Sequence, residues 1–184
     1  MNSVLETIKN RRSIRAYKPE QLQDSELEKI MEAATFAPSG HNQQPWHFTV
    51  IQNKALIDAL SRKSKDYAAK SDVEWIAKLG KNENLHIFYN APTVVIVSGK
   101  EDAISTTADC CAAIQNMLLA AESLNIGSCW IGLANFFFAS GEQIDGLNFK
   151  EGYKPVYAVS LGYKASSIQP AAPKRKENVV SYIK

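Results

Sequence analysis

PTVVIVSGKEDAISTTADCCAAIQNMLLAAESLN, residues 92–125, is the stretch on which the fold class turns. Its opening, PTVVIVSG (92–99), is β-branched and uncharged, the composition of a strand covered on both faces. From about 103 to 125 follows the longest helix, with Gly127 just beyond it as a terminator. Cys110, Ile114, Met117, Leu118, Ala121 and Leu124 line one side, yet Ala112, Ala113, Leu119 and Ala120 leave little polar surface opposite. A helix apolar nearly all round has to be buried on most sides. A chain of 184 residues is long enough for one domain with a real core and too short for two, so a subunit interface is a natural way to cover this helix.

Toward the N-terminus, Ser3 with Glu6 reads as a capping box ahead of a short helix carrying Val4, Leu5 and Ile8. A second helix follows Asp24–Ser25, with Leu27, Ile30, Met31 and Ala34 at helical spacing and Pro38 to stop it. WHFTVIQ (46–52) is a short strand, and Asn53 caps a helix bearing Leu56, Ile57 and Leu60. Residues 62–90 are the least regular part, with Tyr67, Trp75, Leu79, Phe88 and Tyr89 scattered among mixed charges. Toward the C-terminus, GSCWIGL (127–133) and VYAVSLGY (156–163) are two more strands. Beyond Gly162 the composition shifts to Ser166, Ser167, Pro170, Pro173 and a basic cluster, an extended tail ending in the strand-like VVSYI (179–183). So apolar an end docks on something. The expectation is a single α+β domain over 1–184, helices around a sheet of four or five strands, with 165–184 as the tail.

Composition excludes several classes. A net charge of +2 with 22% charged residues lacks the basic excess of a nucleic-acid binder. Three cysteines, Cys110 and Cys111 adjacent, make no disulfide framework and read as reduced thiols in a cytoplasmic protein. MNSVLETIKNRRSIR carries charges where a signal peptide has its apolar run, and Asn2 stands where myristoylation needs glycine. The longest uncharged run, Ser123 to Gly141, is broken by Asn125, Gly127, Ser128, Gly132 and Asn135, so it is no membrane span. His41, His47 and His86 have no metal-ligand spacing. Asp102, Asp109 and Glu122 are too spread to form an acid–base pair.

Two segments carry chemistry. Arg11-Arg12-Ser13-Ile14-Arg15 offers guanidinium forks that match phosphate oxygens, with a hydroxyl as neutral donor; alone it reads rather as a solvated basic patch at a helix C-terminus. Ala37-Pro38-Ser39-Gly40-His41-Asn42-Gln43-Gln44-Pro45-Trp46-His47-Phe48 is a loop dense in amides, each both donor and acceptor, which suits the rim of a pyrimidine-like ring. Alone it reads as a proline-punctuated turn. Lys174, Arg175 and Lys176 form a second basic cluster, able to meet the first around one anion.

Taken in order, RRSIR, PSGHNQQPWHF (38–48), Asn90-Ala91-Pro92, IGSCWIG (126–132), EGYKPV (151–156), LGY (161–163) and PKRK (173–176) resemble the signature segments of the FMN-dependent nitroreductase family. Each is weak alone; the ordered set spans nearly the whole chain and is specific. The resemblance implies an entwined α+β homodimer with a mostly antiparallel sheet, two FMN sites at the interface and a tail that wraps the partner. It also implies a ping-pong transfer of two electrons from NAD(P)H to a small electrophilic acceptor, such as a nitroaromatic or quinone. Related activities of the fold, or a flavin-binding redox sensor, are the alternatives. By the resemblance, Arg11, Arg12 and Ser13, with Lys174 and Arg175, contact the phosphate and ribityl chain, and Arg15 the N1–C2=O edge. Pro38, Ser39, Gly40 and Asn42 reach the flavin from the other subunit, Gln44 is a further cofactor contact, Asn84 touches the ring, and Ile131–Gly132 face it through their backbone. No side chain is needed as a nucleophile or proton carrier, because the flavin does the hydride chemistry. The chain is short for this family, which abbreviates the outer wall of the pocket. Phe136-Phe137-Phe138 are candidates for that wall, against ordinary core packing.

Overall fold

The computed structural model describes residues 2–167 and 170–184. In chain order the elements are α1 (Ser3–Asn10), α2 (Asp24–Thr35), β1 (Trp46–Ile51), α3 (Lys54–Ala68), α4 (Glu74–Gly80), β2 (Thr93–Lys100), α5 (Thr106–Ser123), β3 (Ile126–Ile131), α6 (Asn135–Phe138) and β4 (Tyr153–Tyr163). A 3-10 turn, Gly40–Asn42, lies in the loop before β1. Among the described residues no helix is long and apolar enough to cross a membrane.

The four strands form one sheet in the order β1-β2-β4-β3, and every neighbouring pair is antiparallel. Alternation along each strand sends side chains to two different cores. Val95, Val97, Val159 and Leu161 pack with α2 and α5, whose Ile30, Ala34, Ile114 and Met117 are buried there. Val94, Ile96, Ala158 and Ile131 pack on the opposite face with Ile57, Leu60, Phe88 and Phe137. Both faces of β2 are thus covered, as its uncharged β-branched run demands. The result is three layers: α2 and α5, the sheet, then α3 with α4 and α6.

Several details differ from the sequence reading, each for a local reason. The first helix is capped by Asn2, whose side chain accepts the N–H of Val4, while the carbonyl of Ser3 accepts the Thr7 hydroxyl. Helix α2 begins with a capping box between Gln23 and Glu26 and stops at Thr35, with Phe36 as its cap, before Pro38 is reached. The last turn of α5 gives way at Asn125, which takes the left-handed conformation at φ 57°. Gly127 therefore lies inside β3, where a Cβ would come within 2.9 Å of Ile14. The stretch 62–90 holds more order than its composition suggests, since α3 runs on to Ala68 and α4 follows. The tail segment 179–183 has no strand partner among the described residues and is exposed.

Candidate cofactor site

Past the end of α1, the chain turns to run beside the open edge of β3. Ser13 bridges Ser128, and the Ile14 N–H donates to the Ser128 carbonyl at 2.9 Å. This bridge fixes four cation- or hydroxyl-bearing residues, Arg11, Arg12, Ser13 and Arg15, along one strand edge that ends in Ile131 and Gly132. None of the three guanidiniums has a carboxylate partner among the described residues. Arg12 spends its donors on carbonyls: Nη1 on Lys9 and Arg11 at 2.6 and 2.9 Å, and Nε on Pro170 of the tail at 3.2 Å.

Arg15 has a more specific setting. Its Nε donates to the Tyr89 hydroxyl at 3.2 Å, and its guanidinium carbon lies 5.7 Å from the centre of the Tyr89 ring. That hydrogen bond raises the Arg15 pKa further, and partial burial works against it. Tyr17 donates to the Ile14 carbonyl at 2.6 Å, and burial pushes its phenol up. Cys129 lies among these groups. Burial raises its thiol, opposed by Arg15, Ser13 and Arg11 in that order, so the site does not make it a nucleophile.

The amide-rich loop is built at a different corner. Both carboxylate oxygens of Asp109, in the first turn of α5, accept the Gly40 N–H at 3.2 Å. The Ser39 hydroxyl accepts the Gln44 N–H at 3.0 Å, and Gln44 Nε2 donates to Asn42 Oδ1 at 3.0 Å. His41, Asn42 and Gln44 have φ of 51°, 53° and 46°, a strained run held in place by those bonds. A Cβ on Gly40 would stand 3.0 Å from Ser105 Oγ, so the close approach to α5 favours glycine there. The side chains of His41, Asn42, Gln43 and Gln44 are exposed.

The single chain therefore gathers Arg11, Arg12, Ser13, Arg15, Ile131 and Gly132 on one side, and Pro38, Ser39, Gly40, Asn42 and Gln44 on another. Asn84 joins neither group. It is exposed on the rim of a recess of about 330 Å³ with Asp58, Arg62 and His86, and its own N–H donates to Asn82. Lys174 and Arg175 lie exposed on the tail. Phe137 is buried in the core and also borders, with Phe138 and Phe149 (edge to face at 6.3 Å), a cavity of about 590 Å³ that Asn135 and Lys154 complete. Tyr89 and Asp109 were missed by the sequence reading. A carboxylate in the first turn of an otherwise apolar helix was the available signal for Asp109; an aromatic residue one step before Asn90 was a weaker one for Tyr89.

This is a three-layer α+β fold with a basic segment on one sheet edge and an amide-rich loop before another, donor types that suit an anionic, ring-bearing ligand. The profile of the Nitroreductase family matches residues 8–163. A protein of Archaeoglobus fulgidus with the provisional name NADH dehydrogenase/NAD(P)H nitroreductase is 34% identical, the match covering 89% of this chain and 86% of that one. Among solved structures, a nitroreductase with bound FMN from Bacteroides fragilis superposes with a TM-score of 0.86 at 36% identity, over 100% of both chains. Another with bound FMN, from Desulfitobacterium hafniense, gives 0.85 at 30% identity, again over 100% of both chains. The chain belongs to the nitroreductase family.

Proposed function

We propose that the protein is an FMN-dependent oxidoreductase that carries two electrons from NAD(P)H to a small electrophilic acceptor, such as a nitroaromatic or a quinone, and works as a homodimer. The observation that carries this reading is the set of three guanidiniums, Arg11, Arg12 and Arg15, held on the β3 edge without a carboxylate partner among the described residues. Uncompensated like charges repel, and an anionic ligand relieves that repulsion. A phosphate ester with a polar heterocycle fits the donor set: Arg11, Arg12 and Ser13 for the phosphate and ribityl hydroxyls, Arg15 for the ring edge. Gly132 supports a flat ligand beside it, because a Cβ there would meet nothing within 4 Å. The relatives with bound FMN support the choice of group, and a Bacillus subtilis relative named FMN reductase (NAD(P)H) supports the electron donor.

When bound, the flavin supplies hydride transfer at N5, first from the nicotinamide and then to the acceptor, in a ping-pong sequence. The chain's part is to bind, orient and tune. Arg15, oriented by Tyr89, holds positive charge where negative charge grows on reduction. Asn84 is assigned a polar contact to the ring. Pro38, Ser39, Gly40, Asn42 and Gln44 are assigned to the site of the opposite subunit, and Lys174 and Arg175 to the phosphate. The Arg12–Pro170 bond supports that last assignment, since it already brings the tail to the basic segment. Purified protein should be yellow, should release about one FMN per chain on denaturation, and should bleach anaerobically with NADH or NADPH and recolour with a quinone. Colourless protein that takes up no added FMN would end this reading, and flavin that neither nicotinamide bleaches would end the enzymatic half of it.

A further inference from the structure

The turn that carries Tyr89 is held by a histidine. His86 Nδ1 accepts the backbone N–H groups of Phe88 and Asn90, each at 3.3 Å, and the His86 carbonyl accepts that of Tyr89 at 2.8 Å. Three consecutive N–H groups thus converge on one residue. Tyr89 and Asn90 both lie in the left-handed region, at φ 55° and 53°, where a side chain is disfavoured; the His86 bonds hold that part of the turn, while Ser61 and Ser160 anchor the neighbouring Ile87 N–H and Phe88 carbonyl. On the other side of the ring, Nε2 faces Asp58 Oδ1 at 3.3 Å. A nitrogen accepting two N–H groups carries no proton, so the ring is the neutral tautomer that donates from Nε2 to Asp58. A proton on Nδ1 would point straight at two donors.

We propose that His86 is a positioning residue: in its neutral form it holds the 86–90 turn that presents Tyr89 to Arg15, and protonation at Nδ1 releases that turn and the Arg15 contact with it. The functional weight of this relay rests on the placement of Arg15 beside the flavin, but the relay itself belongs to the chain alone. Lys54, Asp58, Arg62 and Lys65 of α3 and Glu83 of the same loop face the recess that holds the ring. Burial lowers the His86 pKa below its ordinary 6.5, Asp58 opposes this, and Lys54 and Lys65 reinforce it. The neutral form therefore prevails at neutrality. The unfolded chain binds the proton more readily than the folded one, so the turn keeps its full stability above 6.5 and loses it as pH falls through the folded-state value.

The chain has three histidines, His41, His47 and His86, so their ring signals can be assigned by substitution. The flavin-loaded protein and its flavin-free form are titrated by NMR between about pH 8 and about pH 5, the span around an ordinary histidine. The Arg15 Nε–H signal and the amide exchange of Phe88 and Asn90 are followed. In the wild type the Arg15 signal should move in step with the His86 ring. His86→Asn puts an oxygen that binds no proton near the Nδ1 position, so it should keep the turn and abolish the pH dependence. His86→Ala should lose the turn at every pH, with exchange at Phe88 and Asn90 at least about fivefold faster, as one lost hydrogen bond implies. Tyr89→Phe should hold the Arg15 signal at its acid-limit position throughout. An Arg15 signal that ignores the His86 titration, that titrates alike in His86→Asn, or that Tyr89→Phe leaves unmoved would overturn the proposal. A protein that never binds flavin would sink the functional reading and still leave the relay measured.

Discussion

Arg12 and Arg15 stand three residues apart, and the proposed function gives them different work. Arg12 is tied to the carbonyls of Lys9, Arg11 and Pro170, which keeps its fork beside the end of α1, where the proposed function puts the phosphate. Arg12→Ala should weaken FMN binding by roughly ten- to hundredfold, since a charge-assisted bond contributes about 1.5–3 kcal/mol; equilibrium titration of flavin fluorescence reads this directly. Arg15→Gln should keep much of the binding, because the phosphate anchors remain and glutamine still donates. It should lower the flavin potential by several tens of millivolts, about 30 mV for each 1.4 kcal/mol of lost differential stabilisation in a two-electron couple. A xanthine oxidase titration against reference dyes measures that shift. If Arg15→Gln shed its flavin at unchanged potential, Arg15 would belong with the phosphate ligands. The sequence showed these arginines because three guanidiniums in five residues form a local pattern. Tyr89 was hidden because it meets Arg15 across 74 residues of chain, and no spacing rule reports such a contact.

The elements repeat that division between local and long-range information. Strand β2 and helix α5 were legible because hydrophobic pattern and length are local properties. Helix α4 was not, because its seven residues carry Gly80 at the end and owe their place to packing on α3. A Cβ on Gly80 would stand 2.3 Å from the Ala69 nitrogen and 2.7 Å from the Lys65 carbonyl oxygen, backbone atoms that cannot rotate aside. Gly80→Ala should therefore cost about 1–3 kcal/mol. That lowers Tm by about 2–4 °C for each kcal/mol in a chain of this size, a shift that differential scanning calorimetry resolves. An unchanged Tm would mean that α4 does not rest on α3 in this way. Helix α5 leaves Leu119 and Ala120 in a groove with Val4 and Phe36, so its apolar outer face is only partly covered by its own chain. The tail has its own uncovered run, with Val179, Val180, Tyr182 and Ile183 exposed. Deleting residues 165–184 should cost both dimer stability and FMN, by removing this run together with Lys174 and Arg175. Sedimentation and flavin content report the two losses separately, and a truncated protein that stays dimeric and flavinated would show that the tail has neither role.

At the scale of the molecule, the two halves of the proposed binding set are too far apart for one chain to join. The order β1-β2-β4-β3, with Ser13 beyond β3, puts four strand spacings, roughly 19 Å, between the edge after the amide-rich loop and the basic segment. The register adds distance along the strands: Trp46, which follows the loop, pairs with Gly99, whereas Ser128 beside Ser13 pairs with Leu161, itself opposite Thr93. Those six positions of β2 add roughly 20 Å, so the two groups occupy diagonal corners of the sheet. One flavin can touch both only if the loop comes from a second copy. That geometry predicts complementation. Chains carrying Arg12→Ala with Arg15→Gln, and chains carrying Ser39→Ala with Asn42→Ala, should each form homodimers that hold little FMN. Co-expressed under two affinity tags and purified as mixed dimers, they should form one site from two intact halves and one from two altered halves. The mixed dimer should then hold about one FMN where each parent holds close to none, since separate sites add independently. If both halves of a site came from the same chain, every site in the mixed dimer would carry one defect and no flavin would return.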